Sequence, residues 1–84
     1  MASIVWATAA TRMREANVLR LLEDPGRTFQ VVEVRLFEEW SSDSASRTGR
    51  WITNGDLAKT AKEISKFIAD SDAVDVRIFL SDEA

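Results

Sequence analysis

Two kinds of apolar spacing alternate along this chain, and their order limits the folds open to it. A short apolar run over residues 3–9 precedes a helical stretch over 11–23. Two extended segments follow at 28–40 and 47–53, then a second helical stretch over 56–69. An alternating strand over 74–80 completes the order. Alternation with period two marks a strand with one buried face, and recurrence at i, i+3 and i+4 marks an amphipathic helix.

The first run reads as a strand because Ile4, Val5 and Trp6 are β-branched or aromatic. Its alanine-rich continuation (Ala7, Ala9, Ala10) would also suit a helix running into Met13. In the first helical stretch Thr11 is the expected N-cap. Met13, Ala16, Leu19 or Arg20, and Leu22 lie on adjoining turns as the stripe, widened by Val18 and Leu21. Asp24-Pro25-Gly26 ends it, since proline disfavours helical dihedrals at Asp24. In the long segment Val32, Val34 and Leu36 share one phase, while Phe29 and Val31 share the other. This predicts either a bulge near Val31 or a strand apolar on both faces at its start. Gly49 marks a second candidate bulge. Thr53 and Asp56 approximate a capping box around the Asn54-Gly55 turn. Leu57, Ala61, Ile64 and Ile68 then repeat at i, i+4, i+7 and i+11. Val74, Val76, Ile78 and Leu80 alternate with Asp75, Arg77 and Phe79.

The order β-α-β-β-α-β predicts an α+β, ferredoxin-like domain, a four-stranded antiparallel sheet with two helices on one face. The alternative, if the first run is helical, is a long N-terminal helix with a three-stranded sheet and the second helix. Eighty-four residues make a single domain over 1–84, and no internal repeat is evident.

Residue types absent from the chain exclude much chemistry. It has no cysteine, histidine or tyrosine. A disulfide framework, a thiolate metal site and an imidazole base are therefore ruled out. Glu38 and Glu39 are neighbours on an extended segment and point to opposite faces, so they cannot chelate one ion together. Asp70-Ser71-Asp72 starts like a calcium loop, but the glycine and distal glutamate are missing. No phosphate loop, dinucleotide fingerprint or nucleophile elbow occurs. We expect no enzyme activity, no cofactor and no metal. The apolar runs are too short to span a bilayer, and the start of the sequence lacks a basic leader, so we expect a cytoplasmic protein.

The aromatic residues carry the functional expectation. Three tryptophans and four phenylalanines exceed what one core layer needs. Phe37, Phe79 and either Trp51 or Ile52 fall on the phase opposite the helices. We expect an apolar surface there, with Phe37, Trp40, Trp51 and Phe79 as contacts and Arg35 and Arg50 at its rim. The expected function is a non-enzymatic protein-binding module: a small adaptor, inhibitor or self-associating protein, homodimeric or bound to a larger partner. Chains of this type are common among phage and other mobile-element accessory proteins. The alternative is nucleic-acid binding through the open sheet face or the Lys59, Lys62 and Lys66 stripe of the second helix.

Overall fold

The computed structural model describes residues 4–8, 13–40 and 43–82, the first of these as backbone alone. The elements are β1 (Ile4–Thr8), α1 (Glu15–Glu23), β2 (Val31–Phe37), β3 (Arg47–Ile52), α2 (Leu57–Ala69) and β4 (Asp75–Ser81). Strands β3, β2 and β4 form a three-stranded antiparallel sheet under the two helices, and β1 runs along the outer side of β4. The three-stranded sheet and second helix of the alternative reading are thus present. Residues 9–12, over which a longer first helix would run, lie outside the described residues, as does the expected Thr11 cap.

The element order is the expected one, but the strand order is not that of a ferredoxin-like sheet. That fold places its first and third strands in the centre, whereas here the order is β1-β4-β2-β3. The reason is legible in the side chains. A central strand must be apolar along its whole helix-covered face. Strand β2 offers Val32, Val34 and Leu36, and β4 offers Val76, Ile78 and Leu80, all buried. Strand β3 offers Arg47, Gly49 and Trp51 on that face and fits only an edge.

Val18 and Leu22 of α1 and Ala61, Ile64 and Ile68 of α2 meet those six strand residues in one core with Phe29 and Ala73. Burying each large aliphatic side chain contributes about 1.5–3 kcal/mol before entropy is counted. Helix α1 starts at Glu15 after Arg14, which makes no side-chain cap, and the carboxylate of Glu15 suits the positive end of the helix dipole. Gly26 follows at a φ of +78°, so the proline–glycine stop works as expected.

Strand β2 is shorter than the 28–40 segment, and its register against both neighbours runs unbroken from Val31. It therefore has no bulge. Its start is apolar on both faces, with Val31 and Val32 both buried. Gly49 lies in register opposite Val34 and is no bulge either. The capping box resolves differently from its expected form. Asp56 is the N-cap, its carboxylate accepting from the Lys59 amide at 3.0 Å. The Thr53 hydroxyl instead donates to the Phe29 carbonyl at 2.8 Å and is buried. Asn54 and Gly55, both at positive φ, close the turn between them through the Asp56 amide and the Thr53 carbonyl.

A charge clasp ties the two ends of the described core together. Arg27, after α1, reaches Asp82, after β4, at 2.6 Å, and its guanidinium also lies 3.8 Å from the Phe29 ring centroid. The hydrogen bond from Arg27 holds the Asp82 carboxyl below its ordinary range, and the same bond raises the guanidinium.

Candidate functional site

The sheet face opposite the helices carries a feature that sequence reading missed. Val32-Glu33-Val34-Arg35-Leu36-Phe37 and Val74-Asp75-Val76-Arg77-Ile78-Phe79 are two copies of one pattern. They form the two central strands, antiparallel, with Arg35 directly opposite Arg77. Glu33 then faces Phe79, and Phe37 faces Asp75. Each arginine is held twice. Arg35 Nε is 2.9 Å from Glu33 Oε1, and its guanidinium lies 4.3 Å from the Phe79 ring centroid. Arg77 Nε is 3.5 Å from Asp75 Oδ2, and its guanidinium lies 4.4 Å from the Phe37 centroid. The signal was available as a spaced acid-x-Arg-x-Phe motif, but at two sites 42 residues apart it is easily missed.

This arrangement changes the expected apolar surface. Phe37 is only 3 % exposed and Phe79 is half-buried, each under a guanidinium. Phe37, Phe79 and Arg35 do share the open face, as expected from their phase. Trp51 does not. It pairs with Val32 and so projects to the helix side, where it packs edge-on against Phe67 at 5.2 Å and 76°. A β-carbon on Gly49 would lie 2.5 Å from the tip of the Trp51 ring, so glycine is needed there to let the indole fold over the strand. The residue on the open face is Ile52, which is 51 % exposed. Trp40 is 65 % exposed just past β2. It lies beyond the end of the β2–β3 register and is not a cross-strand partner of Trp51. Trp40 and Ile52 stand at opposite ends of the hairpin, about 20 Å apart by strand rise, and make no common patch.

Strand β3 is the most exposed strand with described side chains. Arg47, Thr48, Arg50 and Ile52 are all exposed. Arg50 lies opposite Glu33, and the Arg47 guanidinium sits 4.7 Å from the Phe67 ring centroid. Among the described residues only β2 pairs with β3, so its outer edge has no strand beside it. The Thr53 amide donates to Gln30 at 2.9 Å, which fixes the alternation of the ladder. Amides of Gly49 and Trp51 consequently face β2, and those of Thr48, Arg50 and Ile52 face outward. Two shallow clefts flank the end of this edge. One of about 350 Å³ is lined by Thr28, Phe29, Gln30 and Ile52 through Gly55. The other, of about 300 Å³, reaches from Ile52 to Lys59 and Glu63 of α2.

Lys59, Lys62 and Lys66 are all exposed on α2. Helix α2 packs on the β3 side through Phe67 and Trp51, so the lysines and β3 share one half of the domain. Among the described residues no group of three or more acidic side chains gathers as a metal site, and no helix is long and apolar enough to cross a membrane. No family model, curated relative or solved structure matches the chain.

Proposed function

We propose that this protein is a non-enzymatic protein-binding module, an adaptor, inhibitor or self-associating accessory protein of the cytoplasm, and that it docks its partner along β3. The observation that supports this reading is the exposed β3 edge: among the described residues only β2 pairs with β3, and the Thr48 and Ile52 amides face outward. A sheet edge of this kind accepts a strand from another chain at low cost, because the ladder supplies affinity and the flanking side chains supply choice. Docking here replaces the aromatic sheet surface expected from sequence, since Phe37 is buried and Trp51 packs toward α2.

Amide exchange measured together with solution mass tests the proposal. In the isolated chain the Thr48 and Ile52 amides should exchange fast while those of Gly49 and Trp51 are protected. If the partner is a second copy, these two outward amides gain protection as the mass rises from 9.4 kDa toward twice that value with concentration. Slow exchange of both in a clean monomer would mean the edge is already covered, and would remove the reading.

The second reading, nucleic-acid binding, draws on the exposure of Lys59, Lys62 and Lys66 in the same half as Arg47 and Arg50. Salt separates the two. Phosphate binding falls steeply with rising salt, whereas strand pairing with apolar contacts does not.

A further inference from the structure

We infer that a second copy of this chain is a partner, and that the two copies associate by exchanging halves. The first half is β1-α1-β2 and the second is β3-α2-β4. The sheet order is β1-β4-β2-β3, so strands of the two halves alternate across it. Every strand pair among the described residues therefore joins one half to the other. Neither half has two strands that pair with each other, and α1 packs on α2 across the same divide. Further contacts cross it too: Arg35 on Phe79, Arg77 on Phe37, Arg27 with Asp82, and the Thr53 hydroxyl on the Phe29 carbonyl. This goes beyond docking along β3, whose outer edge exchange leaves untouched.

A half cannot satisfy its own backbone, because its strands leave their ladder groups unpaired and their apolar faces bare. It must meet a complementary half, and that half fits equally well from its own chain or from another copy. The halves are linked covalently only through residues 38–46, nine in all. Fully extended, such a link reaches about 30 Å. Two chains whose links stretch across instead of turning back form two complete units. Each unit has the first half of one copy and the second half of the other. Every ladder and contact named above is remade in each unit, the condition under which exchange gives a dimer. Within one chain the link holds the halves at an effective concentration of about 1 mM, so the exchanged form grows as protein concentration nears that value. The link also supplies a contact that the monomer lacks. It is polar apart from Trp40 and Ala45, and Trp40 is 65 % exposed. In the exchanged dimer the two links run side by side, and the two Trp40 rings leave water together.

Two full-length variants test this. Arg35 and Thr48 are opposite each other in a pair without mutual hydrogen bonds, where Cα atoms lie about 4.5 Å apart and a disulfide fits. One copy carries Arg35→Cys and the other Thr48→Cys, in a chain that otherwise has no cysteine. Unfolded together, refolded at about 1 mM and oxidised, they should give a mixed covalent dimer on a denaturing gel. Neither variant refolded alone should do so. In the parent chain the mass should approach twice 9.4 kDa under the same treatment, while the Thr48 and Ile52 amides exchange as fast as in the monomer. Trp40→Ala should lower the dimer share about tenfold at one concentration. Deleting residues 38–46 removes the turn between β2 and β3, so any folded form of that variant must be an exchanged dimer. A folded monomer would overturn the inference, and if the variant does not fold the mixed disulfide decides. A parent chain that stays at 9.4 kDa after refolding at every concentration up to about 1 mM overturns it as well. Doubled mass without the mixed disulfide overturns exchange, and protection of Thr48 and Ile52 in that dimer would instead place the second copy along β3.

Discussion

Arg35 and Arg77 stand directly opposite each other on the two central strands, like charges at the middle of the sheet. Such a pair is destabilising unless each charge is offset. Here each arginine forms an ion pair with the acid two residues before it on its own strand and covers the phenylalanine two residues past its partner on the other.

Removing one acid should therefore unbalance the pair. Asp75 is buried, and Asp75→Ala leaves the Arg77 guanidinium without its carboxylate. A loss of about 1–2 kcal/mol is expected in urea unfolding. Arg77→Ala in the Asp75→Ala background should cost less than Arg77→Ala alone, because the ion pair is already gone and only the cover over Phe37 is lost. Fully additive losses would show that the ion pair contributes nothing.

Gly49 and Gly55 should respond to alanine for different reasons. At Gly49 the added methyl meets the Trp51 ring, itself held by Phe67, and a loss of about 1–3 kcal/mol with a shifted tryptophan emission is expected. At Gly55 nothing lies within 4 Å, so the cost is the φ of +82° alone, about 1 kcal/mol, with emission unchanged.

The two tryptophans at the ends of the hairpin should separate cleanly. Trp51→Ala removes packing against the core and should lower stability by about 2 kcal/mol. Trp40→Ala, at an exposed site, should stay within about 0.5 kcal/mol of the parent chain. Equal effects in denaturant unfolding would contradict the placement of Trp51 under α2.

Acid should loosen the Arg27–Asp82 clasp. The Asp82 carboxyl is held below its ordinary value by the Arg27 hydrogen bond, so the folded state binds its proton less readily than the unfolded chain. Its contribution is present above the ordinary aspartate range near 3.9 and is lost as pH falls through the lower folded value. Asp82→Asn should remove this part of the acid dependence and leave stability at neutral pH slightly reduced. An unchanged acid unfolding curve would show that the exposed pair is fully screened.

The elements with strong spacing were legible in sequence. Helix α2 and strand β4 follow from Leu57, Ala61, Ile64 and Ile68 and from Val76, Ile78 and Leu80, because periodicity reports directly which side is buried. Strand order was less legible. It depends on which strands can be covered from end to end, and that emerges only when the polar and small residues at Arg47 and Gly49 are set against the full apolar faces of β2 and β4. At the candidate site, Arg35, Phe37 and Phe79 were assigned to the correct face by alternation. Trp51 was not, because Gly49 lets a large ring fold over a strand that looks too polar to face a core. Arg77 was missed because its importance lies in a pairing across 42 residues of sequence.

That separation bears on how the molecule is made. Strand β2 is synthesised well before β4, and until β4 emerges only its β3 side can be paired. The ladder that carries both arginines must close a long loop, which makes it a late and comparatively slow step. A chain ending at Ala73 has the sequence of both helices and of the β2–β3 hairpin but lacks Val76, Ile78 and Leu80 of the core and the Phe79 ring that Arg35 covers. We expect it to remain unfolded, as circular dichroism would show, with the adhesive Val-Glu-Val-Arg-Leu-Phe segment exposed to whatever lies nearby.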